Sequence, residues 1–213
     1  MRVEDLPAST GVVTTGRNSL GNRISDSWSN MRKATRRLIN ENPAEPRLLF
    51  YVLMSDVVFF LSWSLKAIVK PSNIFLDKAD PGVIGVVLIA ALLFRTSAMY
   101  FFSYVLFIGA KAFGGKGTWQ ETRCGVFWGA LVAAPFGLLF AVITVCFTYL
   151  EPYFPVFGAD WIALPPYWLS LIPFIWFISQ GLAEAHRFRT NSISFQIMSL
   201  LSVIGLYVAV RYS

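Results

Sequence analysis

A chain of 213 residues that is 55% hydrophobic, 16% aromatic and only 14% charged does not have the composition of a soluble globular domain. Its formal net charge of +6 does not point to nucleic acid, because eight of the eighteen Lys and Arg lie before residue 48, in sequence of amphipathic periodicity without interleaved stacking aromatics. Anionic lipid headgroups are the partner this balance implies, and no nucleic-acid partner is expected.

Residues 1–22 are rich in Ser, Thr, Gly and Asn and predict a disordered tail. No apolar h-region precedes residue 48, so no cleaved signal peptide is expected. Residues 23–40, RISDSWSNMRKATRRLIN, place Ile24, Trp28, Met31, Thr35 and Leu38 at helical spacing, with Arg32, Lys33, Arg36 and Arg37 over the remaining surface. This pattern predicts a basic amphipathic helix in the membrane interface, its four cations on lipid headgroups. The alternative is a solvated helix docked on a partner. Asn42-Pro43 and Glu45-Pro46 break the helix before the apolar region.

Five apolar runs follow, at 48–69, 82–110, 124–150, 163–185 and 193–210. About 20 such residues cross the hydrocarbon core as a helix. The predicted fold is all-α: a polytopic integral membrane protein, with a bundle of five transmembrane helices behind the interfacial helix. The second and third runs exceed a hydrocarbon thickness of about 30 Å and imply tilt or a break. Basic residues favour the cytoplasmic side. The tail, Lys111, Lys116, Arg123, Arg187 and Arg189 then lie inside, against Lys70, Lys78, Arg211 and borderline Lys66 outside, which predicts an N-in, C-out chain. Trp63, Trp119, Trp161 and Trp168 fall near span ends, where amphipathic rings favour the headgroup level.

The residues that carry membrane-enzyme chemistry are clustered ionisable groups on spans, and this sequence does not cluster them. His186 is its single histidine, a boundary residue beside Glu184 and Arg187. Cys124 and Cys146, 22 positions apart on one apolar run, read as small buried residues. No catalytic residue, metal site or cofactor is expected. Two charges lie at span depth, Asp56 and Arg95, where a charge is costly enough to attract a functional reading. Asp56 is about 12 Å beyond Leu48 on an outgoing helix, and Arg95 is about 15 residues before the end of the returning one. Either the two pair, or a neutral Asp56 hydrogen-bonds near Ser55 while Arg95 reaches water. The third run carries Gly125, Gly129, Ala133 and Gly137 at every fourth position, a stripe for close helix packing, with Pro135 inviting a kink.

The turn Gly114-Gly115-Lys116-Gly117-Thr118 fails the spacing of a phosphate-binding loop, since Ala110 stands where the leading glycine belongs and Gly117 where the hydroxyl belongs. It reads instead as a tight cytoplasmic turn with Lys116 facing headgroup phosphates. Thr118 caps the next helix, and Glu121 completes a capping box.

The stretch GAKAFGGKGTWQETRCGVFWGALVAAP, with GLAEAHRFRTNSISFQIMSLL further on, resembles the Yip family of Ypt/Rab-interacting membrane proteins. In that family a glycine-rich turn leads into the third of five spans, and the later segment is similar to its joint between the fourth and fifth. The resemblance is collinear over roughly residues 25–213. Eukaryotic members tend to carry an Asp-Leu-Tyr-Gly-Pro-like motif where this chain has Asn42-Pro43-Ala44-Glu45-Pro46, which favours the bacterial branch and its cytoplasmic membrane. The resemblance implies a non-enzymatic protein that organises membrane or partner proteins, with other membrane proteins or further copies of itself as partners. A small transporter or channel using Asp56 and Arg95, and an accessory subunit of a larger membrane complex, are the competing expectations.

Overall fold

Asn30 divides the basic N-terminal segment into two helices. Its side-chain carbonyl accepts from the Lys33 amide at 3.1 Å, capping a second helix where the sequence pattern predicts one continuous helix over 23–40. A short polar side chain that competes for backbone amides is a natural break. The computed structural model describes residues 19–69, 81–159 and 169–212, without the side chains of 67–69, 81–84, 158 and 205–212. Residues 1–18 of the expected tail, Lys70, Lys78, Trp161, Trp168, the start of the fourth apolar run and the side chain of Arg211 lie outside the described residues.

Among the described residues the order is α1 (Leu20–Ser29), α2 (Met31–Asn40), α3 (Glu45–Val69), α4 (Pro81–Ala112), α5 (Trp119–Leu150), a 3-10 turn at Pro155–Gly158, α6 (Leu171–Ala185) and α7 (Ser192–Tyr212). Residues 20–22, expected in the disordered tail, belong to α1, whose first turn is capped by Ser19. Asn42 adopts a positive φ of 44° before Pro43 and turns the chain into α3. Pro46 sits in the first helical turn, where its missing N–H leaves no intrahelical bond unmade.

The helix α5 is the axis of the fold. From Thr122 to Ala133 nearly every residue is buried, with α3 and α6 packed along it and α1 and α2 across it. Tyr51 meets Trp128 edge-on at 5.1 Å and Tyr100 meets Phe127 at 4.9 Å, so α3 and α4 both reach this half through aromatic contacts. Beyond Pro135 most residues are half-buried or exposed, with Ala141 and Thr144 buried. Proline removes the amide that the Leu131 carbonyl would receive. One residue on, the Trp28 indole donates to the Val132 carbonyl at 3.0 Å while its ring meets Phe136 edge-on.

The outer faces are apolar: Val86, Ile89, Leu93, Phe94 and Phe101 on α4 and Leu139 and Val142 on α5 are exposed. Three helices among the described residues are long and apolar enough to cross a membrane, Glu45–Lys66, Gly85–Ala112 and Trp119–Leu150. The described parts of the fourth and fifth runs are shorter apolar helices, Leu171–Ala185 and Ser192–Ile204.

Candidate functional site

Two charged arrangements stand out, one at span depth and one at an end of the bundle. At span depth, the Asp56 carboxylate on α3 is fully buried, and Arg95 on α4 brings its Nε to 2.6 Å from Asp56 Oδ1. The Thr96 hydroxyl donates to Asp56 Oδ2 at 2.8 Å, and the Arg95 guanidinium lies 3.7 Å from the centre of the Phe59 ring. Both carboxylate oxygens are thus answered from α4, and the hydroxyl partner is Thr96 rather than Ser55. Each contact offsets part of the cost of a charge in hydrocarbon.

At the bundle end, Gly114 takes φ +80° at the close of α4. Its amide donates to the Lys111 carbonyl at 3.0 Å and the Gly115 amide donates to the Ala110 carbonyl at 2.8 Å, the two bonds of a Schellman motif. The Lys116 amide donates to the His186 carbonyl at 3.2 Å and the Thr118 amide to Glu121 Oε2 at 2.6 Å. These four amides are engaged inside the protein rather than offered to a phosphate. Thr118 Oγ1 in return accepts from the Glu121 amide at 3.2 Å, giving both halves of a capping box. Gly115 and Gly117 are backed directly by His186 and the Ala185 carbonyl, so a Cβ at either would collide with them.

His186 is the post this turn leans on. It is buried, stacks on Phe188 and lies beside Phe107, and its Nε2 is 2.9 Å from Thr122 Oγ1. The Thr122 hydroxyl already donates to the Thr118 carbonyl at 2.8 Å, so in this network Nε2 carries the proton and donates. Burial, seconded by the nearby Lys111, pushes the imidazole down to about 4, so it is neutral at physiological pH. In this setting the imidazole packs against Phe107, Phe188 and the glycine turn.

Glu184, the penultimate residue of α6, is buried and is gripped from α2. Arg32 Nε donates to Oε2 at 3.1 Å and Arg36 Nε to Oε1 at 2.5 Å. Arg32 also donates to the Phe188 carbonyl at 2.6 Å and to the Arg189 carbonyl at 3.4 Å. These two expected headgroup cations are therefore turned at least partly inward. Lys33 and Arg37 are exposed, as is the Lys116 side chain. A cavity of about 360 Å³ opens beside the grip, between α2, the start of α5 and the α6–α7 connection.

The small-residue stripe divides at the proline. A Cβ on Gly125 would stand 2.5 Å from the Gly181 carbonyl oxygen, one on Gly129 would stand 2.9 Å from the Ile178 backbone, and Ala133 is buried. A Cβ on Gly137 would meet nothing within 4 Å, so the stripe stops short of the four residues expected in it. The sequence reading missed the Glu184 grip and the His186 post. A carboxylate at a helix C-terminus opposes the macrodipole and calls for a cation, and Arg32 and Arg36 are spaced one turn apart to supply two.

With only helices among the described residues, apolar outer faces and three described helices long and apolar enough to cross a bilayer, this is a multi-pass integral membrane protein. The Yip1 domain family model matches residues 26–212, and the chain belongs to that family. No curated protein and no solved structure gives a significant match.

Proposed function

We propose that this protein is a non-enzymatic organiser of membrane lipids and partner membrane proteins, acting through the basic surface of α2 and the outer faces of its helix bundle. The observation that carries the reading is the fixing of α1 and α2 on the bundle by Glu184 and by Trp28, which holds Lys33 and Arg37 outward as a rigid basic surface. Lys116 on the glycine turn extends that surface, and Arg36 contributes its outer end. In this reading the surface is cytoplasmic, the C-terminus is external, and the membrane is the bacterial cytoplasmic membrane. The pair Asp56 and Arg95 pins α3 to α4, and the stripe Gly125, Gly129 and Ala133 packs α5 on α6. Extraction in mild detergent, followed by identification of bound lipids and proteins, tests the proposal. The variant Lys33→Gln/Arg37→Gln should retain its thermal stability and lose anionic lipid or partner. Unchanged lipid and protein retention would reject the role of the basic surface, and ion flux through reconstituted protein would replace it with transport.

A further inference from the structure

The cavity at the bundle end is lined by Arg32, Arg36, Asn40, Glu121, Glu184 and Arg187 among others. Its size lies in the range of small-molecule sites. What it could hold follows from an account of the lining nitrogens. Arg32 uses its Nε on Glu184 and both terminal nitrogens on the Phe188 and Arg189 carbonyls. Arg36 makes one hydrogen bond among the described residues, from Nε to Glu184, and its side chain is 68% exposed. Arg187 leaves α6 with a left-handed φ of 57°, and its Nη2 stays 3.7 Å from Glu121 Oε1, beyond hydrogen-bond reach.

The carboxylates lining the cavity are already occupied. Glu184 is held by two arginines, and Glu121 Oε2 accepts the Thr118 amide. Three arginines face two glutamates, so the lining carries one excess positive charge. Two guanidinium groups from different elements, both with open donor positions, border one polar cavity. That arrangement suits a tetrahedral oxyanion able to accept from both forks, as a phosphate does.

We infer that this cavity binds a phosphomonoester group, with Arg36 and Arg187 as its two direct ligands and Arg32 as the residue that positions Glu184 and Arg36. The source is either a lipid headgroup or a soluble phosphate ester. This deepens the reading of the α2 surface proposed above and rests on it only for the lipid source.

The test uses the full chain in detergent and in nanodiscs. Inorganic phosphate and glycerol 3-phosphate are titrated in detergent, with sulfate at matched ionic strength as control, and thermal stability is the readout. In parallel, nanodiscs containing phosphatidic acid are compared with phosphatidylcholine discs. Stabilisation that saturates with phosphate esters, exceeds the sulfate response and weakens at least tenfold in affinity in Arg36→Gln/Arg187→Gln supports the site. A response to phosphatidic acid alone assigns the lipid source, and responses in both arms assign the phosphate group itself. Arg187→Gln alone, which breaks no side-chain hydrogen bond among the described residues and gives up only the 3.7 Å ion pair to Glu121, should already weaken binding severalfold and guards against a double variant that fails to fold. Lys33→Gln/Arg37→Gln should leave the soluble-ligand titration unchanged, so the cavity and the wider basic surface fail separately. Equal sulfate and phosphate responses, no response in either arm, or full binding by Arg187→Gln would overturn the proposal.

Discussion

Arg95 crosses from α4 to Asp56 on α3 at 2.6 Å, and the carboxylate it meets has no exposed surface. Asp56 is the costlier partner to strand, because Arg95 keeps 23% of its side chain accessible and has the Phe59 ring beneath it. Arg95→Leu should therefore destabilise the protein by about 3–5 kcal/mol, the range for breaking a buried pair by removing one partner. Asp56→Leu/Arg95→Leu should recover much of that loss. The measurement is a double-mutant cycle on thermal stability in detergent, and losses additive to within about 0.5 kcal/mol would show that the contact is not energetically coupled.

Gly125 and Gly181 let α5 and α6 touch backbone to backbone. A methyl on Gly125 would press on the Gly181 carbonyl, which neither helix can move without shifting its own ladder. Gly125→Ala should cost about 1–3 kcal/mol through overpacking. Gly137→Ala enters open space in the same helix and should be neutral, or stabilising by up to about 1 kcal/mol from helix propensity. Thermal melts of the two variants side by side check the contrast, and equal losses would mean the close approach is not what matters at Gly125.

Glu184 holds two turns of α2 through Arg32 and Arg36. Glu184→Gln keeps the shape but removes the charge, leaving two arginines without their anion. The expected outcome is loosening of α1 and α2, seen as faster amide exchange over 20–40 and faster proteolysis near 41–44, with the exchange of α5 little changed. Trp28→Phe, which loses the bond to the Val132 carbonyl, should act in the same direction at about 1 kcal/mol. Protection over 20–40 that is unaltered in both variants would mean the docking rests on apolar contacts alone.

The apolar runs are legible because hydrocarbon imposes one rule on every residue: the run at 48–69 lies within α3, 82–110 within α4 and 124–150 within α5. The capping box is legible because it is a local pattern of two residues three apart. The destination of the basic helix is a different kind of question. Arginines at i and i+4 serve a headgroup layer or a buried carboxylate equally well, and only the fold brings Glu184, more than 140 positions away, beneath Arg32 and Arg36. Gly137 continues the spacing of Gly125 and Gly129, but a Cβ there would meet nothing within 4 Å, and spacing carries no record of where the neighbouring helix ends. His186 reads as a boundary residue because the partners that bury it, Thr122, Phe107 and the glycine turn, come from other parts of the chain.

The last prediction concerns pH. His186 titrates near 4 in the folded protein because burial and Lys111 oppose its charge, with Glu121 opposing that effect more weakly. An unfolded histidine titrates at about 6.5. Below that value the unfolded chain binds a proton that the folded chain refuses, so stability from this residue is full above about pH 6.5 and falls as the pH drops towards 4. The full loss amounts to about 3 kcal/mol. Carboxylates titrate in the same region, so wild type must be compared with a variant that keeps the bond and loses the titration. Gln is the suitable replacement, since its side-chain amide nitrogen can donate to Thr122 Oγ1 as Nε2 does. Melting curves in detergent between pH 7.5 and 4.5 should show the wild type losing several degrees more than His186→Gln. Amide exchange in the 113–118 turn should rise with acid in the wild type only, because Gly115 and Gly117 rest on this side chain and the carbonyl before it. Parallel melting curves for the two proteins would show that the imidazole is not the group through which acid acts.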